Sequence, residues 1–161
     1  MSAYQVLLYY CYTRIENAPE YAVSHLEFCK KIGLKGRIIV AEEGLNGTVS
    51  GSPEACALYM SHVKEDPRFA SLEFKINDCD AHVFHKMHVR YKPEIVHLGV
   101  RGEKALDPNK LTGKHLSPQE FLEMKDRDDV VVVDMRSDYE YNLGKFKNAV
   151  TLDLENFRDL P

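Results

Sequence analysis

The stretch LKGRIIVAEEGLNGTVSG, residues 34–51, decides the fold. Lys35 to Ala41 is rich in β-branched residues and reads as a strand. Glu42 to Asn46 reads as a loop ending in Asn46-Gly47, a pair that tolerates positive φ. Gly47 to Gly51 reads as a short return strand. Two strands this close in sequence make a hairpin, so the sheet is antiparallel here.

Working outward, Tyr4 to Tyr12 is a β-prone run that reads as a core strand. Pro19 opens a helix in which Ala22, Leu26, Cys29 and Ile32 recur at helical spacing, with Gly33 as its stop. On the other side, Ser52 is a predicted N-cap and Pro53 takes the first helical position. Ala55, Tyr59, Met60 and Val63 line the inner face of that helix, and Leu72 to Ile76 is the next strand. The order β-α-β-β-α-β fits the ferredoxin-like plan, an α+β fold with a four-stranded antiparallel sheet and two helices on one face.

After the turn NDCDA, Ala81 to Val96 reads as a strand that ends at Pro93. Alternation puts Val83, His85, Met87, Val89 and Tyr91 on one face and Phe84, Lys86, His88, Arg90 and Lys92 on the other. The second set is almost wholly basic. It suits a phosphate backbone, with Phe84 and Tyr91 near enough to stack on bases and Arg37 as a further cation. The plain alternative is an edge strand that uses cations to resist aggregation.

Residues 99–115 have Gly, Pro and charge without apolar periodicity and read as a linker between a first domain, 1–98, and a second piece, 116–161. Ser117-Pro118-Gln119-Glu120 is a capping box, and Phe121, Leu122 and Met124 are expected inward. Val130 to Val133 reads as a strand covered on both faces, the mark of a parallel sheet. One helix, one such strand and Ala149 to Leu152 are too little to bury a parallel sheet, so this α/β piece is expected to be incomplete.

Hydrophobic residues make up 44% and charged residues 29% of the 161, which excludes a disordered chain. The net charge of −4 removes any global basic signature for nucleic acid, so a nucleic-acid surface must be local. The N-terminal apolar run is too short and too rich in tyrosine for a membrane span. The four cysteines, Cys11, Cys29, Cys56 and Cys79, form no C-x-x-C pair and read as reduced thiols of a cytoplasmic protein, Cys29 and Cys56 as core residues.

Cys79, His82, His85 and His88 are spaced by three, as zinc ligands might be on a helix, but on a strand His85 points away from His82 and His88. The loop EEGLNGT, with Arg37 and Asn46 nearby, makes a poor anion cradle because Glu42 and Glu43 repel phosphate. Asp134 and Arg136 follow the valine strand, where a buried ion pair that holds the turn is the plainer reading, with Glu140 as a further partner of Arg136.

Asp134-Met135-Arg136, Glu140, Gly144-Lys145-Phe146 and Asn148-Ala149 resemble the rhodanese signature, with Lys145 where that family usually has His. Together with residues 34–51, KMHVRYKPEIV (86–96), SPQEFL and DYEYNLGKF, they make the chain resemble the bacterial UPF0176 family over nearly its whole length. These are rhodanese-type, oxygen-dependent tRNA uridine hydroxylases that join an acylphosphatase-like (ferredoxin-like) domain to a rhodanese domain. The resemblance implies hydroxylation of the wobble uridine to 5-hydroxyuridine, a tRNA anticodon region as partner, and molecular oxygen as co-substrate. It implies no further cofactor in these residues, no membrane and no DNA. With such a partner, the basic face read above is expected to bind tRNA through Arg37, Lys86, His88, Arg90 and Lys92, and Asp134, Arg136 and Glu140 are expected to be structural. The catalytic cysteine of the family matches none of the four here, so the 161 residues are expected to be an inactive N-terminal part. The rival expectations are a non-catalytic RNA- or protein-binding module and a fragment of a sulfurtransferase.

Overall fold

The computed structural model describes residues 3–96, 99, 100, 110, 112–156 and 159. It divides into two units, Met1–Ile95 and Val96–Pro161. Most of the linker expected over 99–115 lies outside the described residues.

The first unit follows the expected order: β1 (Tyr4–Tyr12), α1 (Ala18–Lys31), β2 (Lys35–Ala41), β3 (Gly44–Gly51), α2 (Pro53–Glu65), a 3-10 turn (Pro67–Phe69), β4 (Lys75–Cys79) and β5 (Met87–Tyr91). The strands lie in the order β4-β1-β3-β2-β5. The first four make the antiparallel ferredoxin-like sheet, and β5 adds a fifth strand parallel to β2. The expectation of four strands is corrected accordingly.

The helices cover one face only. Leu7, Tyr9, Ile38, Val40, Leu45, Val49, Met87 and Val89 point to it and are buried, with Ala22 and Cys29 of α1 and Cys56, Tyr59 and Val63 of α2 packed against them. Ser52 caps α2 by accepting from Ala55 N–H at 3.2 Å, which satisfies one of the free donors of the first turn.

Three boundaries differ from the sequence reading. The β2–β3 turn is Glu42-Glu43, and β3 starts at Gly44. Gly44 has φ +155, and a Cβ there would sit 2.1 Å from the Cys11 carbonyl oxygen. Asn46-Gly47 lies within β3. Gly47 is required because the Tyr9 ring covers it, a Cβ there meeting the Tyr9 hydroxyl at 2.3 Å. The strand expected at Leu72–Ile76 begins instead at Lys75; Leu72 is a buried anchor ahead of it. The strand expected over Ala81–Val96 contracts to Met87–Tyr91. Its cause is topological: β4 and β5 lie on opposite edges, so the residues between them must cross the sheet rather than pair within it.

The second unit holds α3 (Pro118–Met124), β6 (Val133–Asp134), α4 (Asp138–Leu143) and β7 (Val150–Thr151). The capping box forms at α3: Glu120 N–H donates to Ser117 Oγ at 3.2 Å, and Ser117 N–H donates to the Glu120 carboxylate at 2.7 Å. β6 and β7 pair in parallel, Val133 with Val150 and Asp134 with Thr151. Phe121 packs on Phe146 at 4.8 Å between ring centroids, whereas Leu122, expected inward, is exposed. The valine run is not covered on both faces: Val131 is 73% and Val133 41% exposed. The reason is that the two-residue β7 is the only strand paired with it among the described residues.

Candidate nucleic-acid interface

The sheet face of the first unit away from the helices carries the residues with chemistry. The strand registers place side chains in rows across it. One row runs Lys75, Leu8, Thr48, Arg37, His88 from β4 to β5. The next runs Tyr10, Asn46, Ile39, Arg90. Arg37 and His88 are thus direct neighbours on β2 and β5, and Arg90 lies one row on. Arg37, His88 and Arg90 are all exposed. None of the strand positions on this face is Asp or Glu, although the first 92 residues carry equal numbers of acidic and basic side chains.

Lys86 and Lys92 flank β5. The Lys86 carbonyl accepts from Gly36 N–H at 3.0 Å and Lys92 N–H donates to the Val40 carbonyl at 2.9 Å, so backbone pairing with β2 fixes both positions. Lys86 is exposed and Lys92 half-buried. A groove of about 580 Å³ runs between the end of α1 and β5, with Lys30, Lys35, Lys86, His88 and Arg90 in its walls. The five cations and imidazoles expected to act together, Arg37, Lys86, His88, Arg90 and Lys92, therefore lie on or beside the neighbouring strands β2 and β5. Tyr91 is not with them: it pairs with Val40 and faces the helix side.

Two segments cross this face at its ends. His82 in the β4–β5 connection meets Ser50 Oγ through Nδ1 at 3.2 Å and packs on the Tyr4 ring at 4.6 Å. Partial burial, and then the charge of Lys35, hold the His82 pKa below its usual value. At the other end the Ile95 carbonyl accepts from Asn46 Nδ2 at 3.3 Å, and Ile95 N–H donates to the Glu43 carboxylate at 2.7 Å. Asn46 is therefore spent on a loop contact rather than on an anion cradle. His82 is tied to Ser50, and Cys79 Sγ donates to the Ala81 carbonyl at 3.2 Å, while His88 stands beside Arg37. Among the described residues no group of three or more His, Cys, Asp or Glu is placed to hold a metal ion.

The same face carries three exposed apolar side chains of β1 that the sequence reading placed in the core: Leu8, Tyr10 and Tyr12, at 44%, 58% and 36% exposure. The signal was present in the alternation of Leu7, Tyr9 and Cys11 with Leu8, Tyr10 and Tyr12, but both sets are apolar, so period alone could not say which faces the helices.

In the second unit Asp134 and Arg136 form a two-pronged pair, Nε to Oδ1 at 2.9 Å and Nη2 to Oδ2 at 2.6 Å. Arg136 pulls the Asp134 carboxyl down to about 2, and Nη2 also donates to the Gly144 carbonyl at 2.7 Å. The pair ties the end of β6 to the end of α4. Glu140 does not join it by hydrogen bond; its carboxylate accepts from Ser137 N–H and Oγ–H, closing the capping box of α4. Lys145 Nζ lies 3.7 Å from the Tyr141 ring centroid, a cation–π contact.

Burial pushes the Cys29 thiol up to about 12 and raises Cys11 and Cys56 as well. Among the described residues no helix is long and apolar enough to cross a membrane.

A solved structure described as "BlrB - a BLUF protein, dark state structure" superposes with a TM-score of 0.50 at 18% identity, over 62% of this chain and 80% of that one, which bears on the fold alone. The tRNA uridine(34) hydroxylase of Cytophaga hutchinsonii is 60% identical over all of this chain and 51% of its own length. That of Bacillus licheniformis is 54% identical over 98% of this chain and 48% of its own. The chain spans about half the length of these curated relatives. Residues 117–161 match the rhodanese-like domain, and residues 4–95, the whole sheet-and-helix unit with its basic edge, match the UPF0176 acylphosphatase like domain. The chain belongs to the UPF0176 family.

Proposed function

We propose that these residues are the RNA-holding part of a tRNA-modifying enzyme that hydroxylates the wobble uridine, with molecular oxygen as co-substrate, in the bacterial cytoplasm. The carrying observation is the alignment of Arg37, His88 and Arg90 on one carboxylate-free sheet face, flanked by Lys86 and Lys92. Cations so placed neutralise successive phosphates of an anticodon arm and set its register without reading its sequence. The names of the relatives supply the substrate class and reaction. The chain is expected to bind tRNA through this face. The Asp134–Arg136 pair has the structural task of holding β6 against α4, and Glu140 that of capping the α4 N-terminus.

The double variant Arg37→Glu/Arg90→Glu tests this. The slope of log affinity for tRNA against log salt falls by roughly 1.5 to 2 and affinity at moderate salt falls at least about tenfold, since each lost phosphate contact removes ~0.7–0.9 from the slope. Lys64→Glu on exposed α2, behind the sheet, leaves both unchanged. Equal affinity and slope in the double variant would sink the reading.

A further inference from the structure

We propose that the uncovered face of the five-stranded sheet is a stacking platform for unpaired RNA bases, with Tyr10 at its centre, Tyr12 beside it, and Arg37 and Arg90 holding the phosphates. This rests on the RNA reading above and adds what kind of RNA the surface takes.

The solvent face of an antiparallel sheet ordinarily carries polar side chains. Here β1 presents Leu8, Tyr10 and Tyr12 in succession on that face. β4 pairs with β1 only over Tyr4–Leu8, so Tyr10 lies past the end of β4, 58% exposed, and Tyr12 meets it edge-on, 6.3 Å between centroids and 75° between planes. The Tyr10 ring therefore keeps a face available. An exposed aromatic cluster of this kind has a cost in water that folding does not require, because the core is complete on the opposite face.

The cations stand at a useful distance. Arg37 and Arg90 are two and three strands from β1, roughly 10 and 14 Å at the usual strand spacing. That is the reach of a nucleotide or two, so a base laid on Tyr10 leads its backbone toward β2 and β5. The guanidinium planes can themselves stack. The Ile95 crossing sits on Asn46, the direct partner of Tyr10, and the His82 crossing lies at the other end of β1, yet Tyr10 and Tyr12 stay 58% and 36% exposed. A flexible single strand can lay an unstacked base on such a ring, whereas a duplex keeps its bases paired and stacked. No strand position of the face is Asp or Glu, and the Glu43 carboxylate near Tyr12 is engaged by Ile95 N–H, which favours a polyanion over a protein segment.

The test uses the full chain with two probes, an oligouridylate of about eight nucleotides and a blunt RNA duplex of about sixteen pairs, read by fluorescence anisotropy. Tyr10→Ala is expected to weaken the oligouridylate about tenfold with its salt slope unchanged, and to leave the duplex unaffected, whereas Tyr10→Phe keeps affinity because stacking needs the ring and not the hydroxyl. Tyr12→Ala is the second variant, with a smaller loss in the same sense. Thermal midpoints equal to the parent's confirm that folding is intact; an exposed ring should not move them. If Tyr10→Ala and Tyr12→Ala bind the oligouridylate as the parent does while Arg37→Glu/Arg90→Glu binds poorly, the platform is overturned and the phosphate reading survives. If the parent binds neither probe, or none of the variants changes binding, both are overturned.

Discussion

Tyr59→Ala lowers the unfolding free energy of the first unit by about 5 kcal/mol, a large part of the stability of an ordinary domain. Tyr59 is fully buried on α2 and is where three elements of the core meet. Its hydroxyl bonds to the Tyr9 hydroxyl of β1 and to His25 Nε2 of α1, the latter at 2.9 Å. Its ring packs against Phe28 and Phe74. Truncation leaves a cavity and also removes the partner of two buried polar groups. Tyr59→Phe separates the contributions: the ring remains, and about 2 kcal/mol is lost because His25 and Tyr9 are left with an unmet bond in a dry site. Urea unfolding measures both. Losses below about 1 kcal/mol for Tyr59→Ala would mean that the core does not depend on this junction.

The same network makes the unit acid-sensitive above the range in which carboxylates titrate. Burial, and secondarily the neighbouring His62, hold the His25 pKa down at about 4, below the ordinary histidine value of 6.5. His25 is 4% exposed, stacked on Tyr21 at 5.0 Å and bonded to Tyr59, with no carboxylate bonded to its ring. The unfolded state therefore binds a proton between pH 6.5 and 4 that the folded state refuses. Stability from this group is fully present above pH 6.5 and falls as pH drops to about 4, by up to about 3 kcal/mol. His25→Leu flattens the profile in that window; the small residual slope comes from His82, whose pKa is lowered in the same sense. Asp134 acts lower, between its ordinary value of 3.8 and about 2, and in the other unit. A profile unchanged by His25→Leu would contradict the assignment.

Much of the first unit was legible because its signals are local. Ser52-Pro53 and Ser117–Glu120 announce helix starts through side chains that bond within one turn, and both caps form. The alternation of His88 and Arg90 with Met87 and Val89 separated a basic face from a packing face, which the burial of Met87 and Val89 matches. Long-range facts were not legible. Nothing local to residues 81–96 says that the chain must first cross three strands, so the strand was read too long. Gly47 looked like turn chemistry, but its reason is the Tyr9 ring, 38 positions earlier on the neighbouring strand β1. Tyr10 looked like core because tyrosine suits either face. His25 gave no sign among its neighbours that it would be buried, since its partners come from β1 and α2. In the second unit Glu140 was assigned to Arg136, but the nearer demand of the α4 N-terminus took it.

The central claim is that the uncovered sheet face of the first unit holds RNA, and a chemical-shift map of the full chain titrated with an anticodon stem-loop RNA tests it most directly. The largest shifts are predicted at Tyr10, Arg37, His88 and Arg90, with Val23 and Leu58 on the outer faces of the helices unmoved. Shifts concentrated on α1 and α2 or in residues 117–156, with the sheet face silent, would contradict it.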